Sequence, residues 1–325
     1  MNRRLPLHLL PFDHRHSYLS GMFHWTGPLS QRQRRTVTET KQMIYEGFRE
    51  ALGPETPVAS AGIMIDEEFG AAILRDAVQR GYVTALATEK SGREEFEFEY
   101  GADFAAHIEA FQPTFAKALV RFNPEGDPAC NQRQASRLRQ LSDYCAGTGR
   151  EFLLELLVPA TDAQRAGVRT TGASYDLDVR PRLMLEAIRA LQEAGVEPDI
   201  WKVEGLSRQV EYERVVALAR RGGRRDVGCL VLGRGADVTE VVTWLEIAGS
   251  VPGFIGFAVG RTTFWDAIAE YLAHQVSREH AVSRIAWRFR QWVEAFEGAR
   301  SSLPVRLDQP LTTPGDAGAA RSAPR

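Results

Sequence analysis

The chain has 325 residues, of which 44% are hydrophobic and 25% charged, and its formal net charge is −2. This is the composition of a globular protein long enough to bury a substantial core. The near-neutral balance gives no general electrostatic argument for nucleic acid or an anionic membrane, so neither is expected as partner, and no stretch approaches the roughly 20 apolar residues of a membrane span.

Cysteine use points the same way. Cys130, Cys145 and Cys229 form no CxxC pair and no even-numbered framework, so they read as reduced thiols in a cytoplasmic protein. The opening MNRRLPLHLLPFDHR is broken by prolines and meets Asp13 before reaching the length of a signal peptide.

Short apolar runs alternate with amphipathic stretches along the chain. The runs fall at 7–13, 59–66, 83–89, 116–123, 152–159, 199–205, 227–233 and 253–260. Helical spacing of apolar residues is clear at 34–52, 133–147, 181–195 and 210–221. Eight strands, each followed by a helix, predict an α/β fold, a (β/α)8 TIM barrel. The main rival is a doubly wound open sheet, but no GxGxxG follows the first run. Two segments stand outside the repeat: a polar loop at 160–181, read as a lid or an insertion, and an added amphipathic helix at 277–299. That helix carries Trp287, Phe289, Trp292 and Phe296, which need a surface to cover. The predicted organisation is one barrel with its extra C-terminal helix over 1–299 and a disordered tail over 300–325.

In such a barrel the C-terminal ends of the strands carry chemistry and the middles carry packing. Polar residues gather at those ends: Asp13, His14 and Arg15; Asp66, Glu67 and Glu68; Glu89 and Lys90; Arg121 and Asn123; Glu155; Lys202 and Glu204. Residues two apart share a face of a strand, so Lys117, Leu119, Arg121 and Asn123 are expected to point one way, as are Lys202 and Glu204.

Lysine is scarce. Of 40 basic residues only Lys41, Lys90, Lys117 and Lys202 are lysines, which leaves 36 arginines. Lys41 alone has an ordinary helix-surface setting. Arginine stays protonated, whereas a desolvated lysine near another cation can lose its proton, attack a ketone and form an imine. Lys202, in WKVE, is therefore the candidate nucleophile, set against a structural ion pair with Glu204 or another carboxylate. Lys90, in TEKSG, is the rival. Imine chemistry needs a proton relay, for which Glu155 and Lys117 are candidates; Lys117 could instead lower the basicity of Lys202 electrostatically. Asp66, Glu67 and Glu68 read either as carboxylates at a helix N-terminus or as contacts to substrate hydroxyls. Asp13, His14, His16 and His24 could suggest a metal, but they come from one local segment, so no metal is expected and His14 is read as an orienting hydrogen-bond donor. Barrel enzymes often hold phosphate after strands seven and eight. LGRG and VGRT lie there and supply Gly233, Arg234, Gly235, Gly260 and Arg261.

The blocks LPFDHR, DEEFGAAILRDA, EKSG, FEFEYG, VRFNPEGD, ELLVPAT, WKVEGL, VLGRG and GFAVGRTTFW span roughly residues 5 to 295. They closely resemble the bacterial domain often fused behind 5-dehydro-2-deoxygluconokinase in myo-inositol catabolism, which is associated with 5-dehydro-2-deoxyphosphogluconate aldolase activity. More distantly, the strand pattern is similar to that of class I tagatose-bisphosphate and sulfofructose-phosphate aldolases. The resemblance implies an imine on Lys202, with Glu155 and Lys117 matching family positions. It also matches Asp13 and Arg15 on the first strand, and Gly260, Arg261 and Trp265 after the last. Where those aldolases commonly offer a serine to phosphate, this chain has glycine and Arg234.

The implied reaction is cleavage of 6-phospho-5-dehydro-2-deoxy-D-gluconate to dihydroxyacetone phosphate and malonate semialdehyde, with no cofactor. Arg234, Arg261 and the amides near Gly233, Gly235 and Gly260 would hold the phosphate. Asp13, Arg15, Arg121, Asn123 and Glu204 would contact the rest of the substrate, with Arg121 assigned to its carboxylate. The expected partner is a small sugar phosphate, with a functional link to 5-dehydro-2-deoxygluconokinase; homo-oligomerisation is left open. Two other readings are an aldolase for another ketose phosphate or a sulfosugar phosphate, and a non-catalytic barrel that binds a sugar phosphate.

Overall fold

The computed structural model describes residues 5–53 and 56–302. Its eight strands are β1 Leu7–Pro11, β2 Ala61–Ile65, β3 Val83–Ala87, β4 Phe115–Arg121, β5 Glu151–Leu157, β6 Ile200–Glu204, β7 Gly228–Leu232 and β8 Phe254–Ala258. They pair in parallel in chain order, and β8 returns to β1 to close the barrel. Each predicted run overlaps one strand, with β4 and β5 beginning one residue before theirs. The strands stop short of the polar ends of those runs, although backbone bonds such as Phe12 N–H to the Met64 carbonyl and Phe122 N–H to the Leu157 carbonyl continue one residue further.

Around the barrel run α1 His16–Met22, α2 Gln31–Ala51, α3 Glu67–Gln79, α4 Phe104–Phe111, α5 Pro128–Thr148, α6 Asp162–Thr171, α7 Arg180–Glu193, α8 Gln209–Ala219, α9 Val238–Gly249, α10 Arg261–Leu272 and α11 Arg278–Ser301. Local sequence signals begin several of them. Ser30 and Gln33 form a capping box before α2, and Asp66 and Asp237 cap α3 and α9.

Strand alternation divides the core in two. Leu10, Ile63, Leu154, Trp201 and Val203 face the helices, whereas Leu9, Met64, Ala85, Phe115, Leu153 and Leu230 pack against one another in a separate buried cluster. Those inner side chains plug the barrel, so its chemistry is confined to the layer above them. Closure also needs a bare backbone: a Cβ on Gly256, paired with Leu7, would lie 1.8 Å from the Leu7 carbonyl oxygen.

One expectation changes. The 160–181 segment is not a plain loop, because α6 and a π-turn at Tyr175–Val179 occupy it; Thr161 and Gln164 form a capping box that starts α6. The aromatic residues of α11, by contrast, mostly find the surface they need to cover. Phe289, Trp292 and Phe296 are buried, and of the four only Trp287 faces solvent, at 51% exposure. The helix packs against α2, α9 and α10, and Trp292 Nε1 donates to Thr263 Oγ1 at 2.9 Å. Helix α11 runs through Ser301; the segment read as a tail lies, from residue 303 on, outside the described part.

Candidate functional site

Above the apolar plug the interior turns polar. Lys202 of β6 is registered against Glu155 of β5, and its Nζ lies 2.8 Å from Glu155 Oε2. The same oxygen lies 3.2 Å from Lys117 Nζ of β4. The two lysine nitrogens thus share one carboxylate oxygen and lie within about 6 Å of each other. Lys117 also donates to Asp13 at 2.7 Å and to Glu89 at 2.6 Å. Lys202 has the sparser surroundings: beyond Glu155, its nitrogen lies 3.6 Å from the Met64 sulfur. Both lysines are almost fully buried, at 1% and 3% exposure.

The shared burial sets the charges. Burial opposes an ammonium at Lys117, but Asp13, Glu89 and Glu155 outweigh it and raise this group well above the lysine range. Burial would raise Asp13, yet the Lys117 ammonium overcomes it and holds Asp13 far below the usual carboxylate range. Glu155 is likewise lowered against the effect of burial, by Lys202 and then Lys117. Glu89 goes the other way, because burial outweighs Lys117 and raises it. The cluster therefore pairs a fixed cation with two firmly ionised carboxylates and one that takes a proton more readily. Among the described residues, no group of three or more His, Cys, Asp or Glu is placed to hold a metal ion.

The structure gathers Asp13, Lys117, Glu155 and Lys202 from the predicted set and adds Glu89. Glu89 lies two residues beyond Ala87, the last residue of β3, so the same alternation that placed Lys117 could have found it. His14, read as an orienting donor, has its Nδ1 buried without a hydrogen-bond partner among the described residues, 4.0 Å from Asp13 Oδ1. Burial lowers this imidazole to about 4, despite Asp13. Lys90 is outside the cluster and pairs with Glu97 at 3.2 Å. Lys41 does not sit on a helix surface; it is buried at 1% exposure and bonded to Asp66. Asp66, through its other oxygen, also caps α3. Glu67 and Glu68 meet His107 and Arg34.

The remaining candidates are spread around the rim. Arg15 donates to Glu99 at 2.6 Å and to the Glu89 carbonyl. Arg121 donates to the Arg93 carbonyl at 3.0 Å. Asn123 lies past the end of β4 and braces the next loop, donating to the Pro159 carbonyl and to Gln164. Glu204 accepts from the Val158 amide at 2.9 Å and lies 3.2 Å from Arg234 Nε; burial raises its carboxyl despite Arg180 and Arg234.

At the predicted phosphate loops, Arg234 has φ 51° and donates to Asp176 at 2.7 Å, while Gly235 has φ 75°. Arg261 donates to the Arg234 carbonyl at 2.9 Å, and Thr262 to the Ala236 carbonyl, so these bonds join the two loops. A Cβ on Gly260 would lie 2.2 Å from the Pro11 carbonyl oxygen. Sequence reasoning missed Arg180, whose Nε meets Asp176 at 2.9 Å and whose Nη2 donates to the Gly205 carbonyl. Lying at the first turn of a helix beside Pro181, it gave no sign of facing the barrel mouth.

Comparison with solved structures finds the same architecture in fructose-bisphosphate aldolases. An archaeal fructose 1,6-bisphosphate aldolase is 13% identical with a TM-score of 0.58, over 92% of this chain and 96% of that one. The Plasmodium falciparum enzyme, solved in a ternary complex with TRAP and a small-molecule inhibitor, is 14% identical with a TM-score of 0.54, over 90% of each chain. The Slackia heliotrinireducens enzyme is 12% identical with a TM-score of 0.55, over 90% of this chain and 86% of that one. At these identities the likeness is one of fold. No curated protein matches the chain. Residues 2–300 match the model of the family described as "Uncharacterized protein conserved in bacteria (DUF2090)", and the chain belongs to that family.

Proposed function

We propose that the protein is a class I aldolase acting on a phosphorylated ketose through an imine on Lys202. The observation that carries this reading is the shared carboxylate, with Glu155 Oε2 2.8 Å from Lys202 Nζ and 3.2 Å from Lys117 Nζ. Among the described residues, Lys117 has three carboxylates to keep it a cation, whereas Lys202 pairs with one and must share it. Lys202 is therefore the amine that can attack a carbonyl carbon.

In this reading the Lys202 amine adds to the substrate ketone, the carbonyl oxygen takes a proton, and loss of water leaves an iminium ion. Glu155 passes protons between the amine and the departing hydroxyl, while Lys117 stabilises the negative charge that develops on oxygen. A carboxylate removes the proton from the β-hydroxyl, the carbon–carbon bond breaks, and the iminium takes up the electron pair as an enamine. Protonation and hydrolysis then free the lysine.

The resemblance of LPFDHR, VRFNPEGD and WKVEGL to the 5-dehydro-2-deoxyphosphogluconate aldolase domain narrows the substrate to 6-phospho-5-dehydro-2-deoxy-D-gluconate. Its C5 ketone would form the imine and its C3–C4 bond would break, giving malonate semialdehyde and dihydroxyacetone phosphate in myo-inositol breakdown. Gly233, Gly235 and Gly260, with Arg234 and Arg261, are assigned to the phosphate; Arg234 would exchange Asp176 for it.

The test is intact-mass measurement after borohydride reduction with dihydroxyacetone phosphate, comparing wild type with Lys202→Ala. One reduced adduct is expected in wild type and none in the variant. Equal adduct in both proteins refutes Lys202 as nucleophile, and absence of adduct in wild type refutes the imine mechanism.

A further inference from the structure

Beside the buried cluster lies a cavity of about 280 Å³, lined in part by Arg15, Lys90, Ser91 and Arg93 and opposed by Glu68 and Glu99. Its acids already have cationic partners: Glu68 pairs with Arg34 and Glu99 with Arg15. Lys90 is matched by Glu97. Among the described residues, the Arg93 guanidinium makes no ion pair. Arg15 is 5% exposed, and its Nε is buried with no hydrogen-bond partner although both terminal nitrogens are engaged. A buried N–H left unpaired is costly, and a cavity wall is where a ligand atom can satisfy it.

The cavity is coupled to the proposed reaction centre by a short chain of bonds. Arg15 donates to the Glu89 carbonyl, and the Glu89 carboxylate receives Lys117, which also meets Glu155. Arg121, the residue assigned from sequence to the substrate carboxylate, spends a guanidinium N–H on the Arg93 carbonyl and so helps to fix this wall.

We infer that this cavity is an anion subsite for the carboxylate end of the aldehyde fragment, with Arg93 and Arg15 Nε as its donors and Ser91 at its edge. The inference rests on the aldolase reading for what the fragment is. One unpaired guanidinium and one unpaired N–H suit a carboxylate of single charge, and two nearby acids disfavour a phosphate dianion.

The test separates binding from chemistry. Calorimetric titration of 3-hydroxypropionate into Lys202→Met is expected to show binding that weakens roughly tenfold or more in Lys202→Met with Arg93→Ala, as expected for loss of a charge-assisted bond. Arg93 is exposed, so its truncation spares the fold; Arg15→Lys, which removes Nε, should also weaken binding. Unchanged affinity on Arg93→Ala, or inorganic phosphate binding this cavity more tightly than 3-hydroxypropionate, overturns the assignment. In aldol addition to dihydroxyacetone phosphate, wild type should prefer malonate semialdehyde to propanal, and Arg93→Ala should lower that ratio about tenfold; an unchanged ratio also overturns it. If wild type gives no borohydride adduct yet binds 3-hydroxypropionate in an Arg93-dependent way, the aldolase reading fails and the anion site stands.

Discussion

Lys202 and Glu155 are partners in the β5–β6 ladder, and their side chains meet 2.8 Å apart inside the barrel. Ladder register, not a flexible loop, sets that distance. If Glu155 moves protons during imine formation, Glu155→Gln keeps the shape and removes the base. Cleavage is expected to slow by about a hundredfold or more, with the circular dichroism spectrum unchanged. Wild-type rates in the variant would assign Glu155 to charge balance alone.

Lys117 is the hub of the charge cluster, so its loss should register as stability before it registers as rate. Lys117→Met would leave Asp13, Glu89 and Glu155 without the cation they share. Removing one partner of a buried ionic set costs about 3–5 kcal/mol. The crowded carboxylates of the variant should bind protons more readily when folded than unfolded, so the deficit against wild type should shrink as pH falls from neutrality towards about 4. Urea titrations of both proteins at pH 7 and at the acid edge measure this.

How much of this was legible follows from which rule governed each residue. The eight strands showed themselves because a closed parallel barrel needs short apolar runs on a regular helical beat. The same alternation put Lys117 and Lys202 in the interior. Lys41 escaped because helical periodicity tells which residues share a face but not that two helices will close over a lysine and its Asp66 partner. Asn123 lies two residues past the end of β4, and alternation along the strand gave no hint that its side chain braces the Pro159 carbonyl and Gln164. The 160–181 segment was read from its polarity, although Thr161 and Gln164 already spelled a helix start.

The groups around the mouth predict an unusual pH profile. His14 is lowered by burial from 6.5 to about 4. A depressed histidine contributes stability that is complete above its unfolded value and is lost as pH falls towards the folded one. The wild-type urea midpoint should therefore decline between pH 6.5 and 4, and His14→Asn should flatten that part of the curve. Asp13, also depressed, acts lower: its contribution is present above its ordinary 3.8 and fades only in stronger acid. Lys117 is raised, so its contribution is complete below 10.5 and is lost only as pH climbs beyond that value. An unchanged slope between pH 6.5 and 4 in His14→Asn would show that another group is responsible.

The last helix separates packing from chemistry. Trp292 is fully buried and bonded to Thr263 of α10, whereas Trp287, five residues earlier, is half exposed. Trp292→Ala opens a large cavity and strands the Thr263 contact, for an expected loss of about 3–5 kcal/mol in urea unfolding. Trp287→Ala should stay within about 0.5 kcal/mol of wild type. Thr263 also donates to the Val259 carbonyl, which keeps α10 fixed at the barrel mouth without help from Trp292. Below its lowered melting point, Trp292→Ala should thus retain wild-type borohydride adduct with dihydroxyacetone phosphate. Loss of adduct while the circular dichroism spectrum stays native would mean that α11 positions the site as well as covering the barrel.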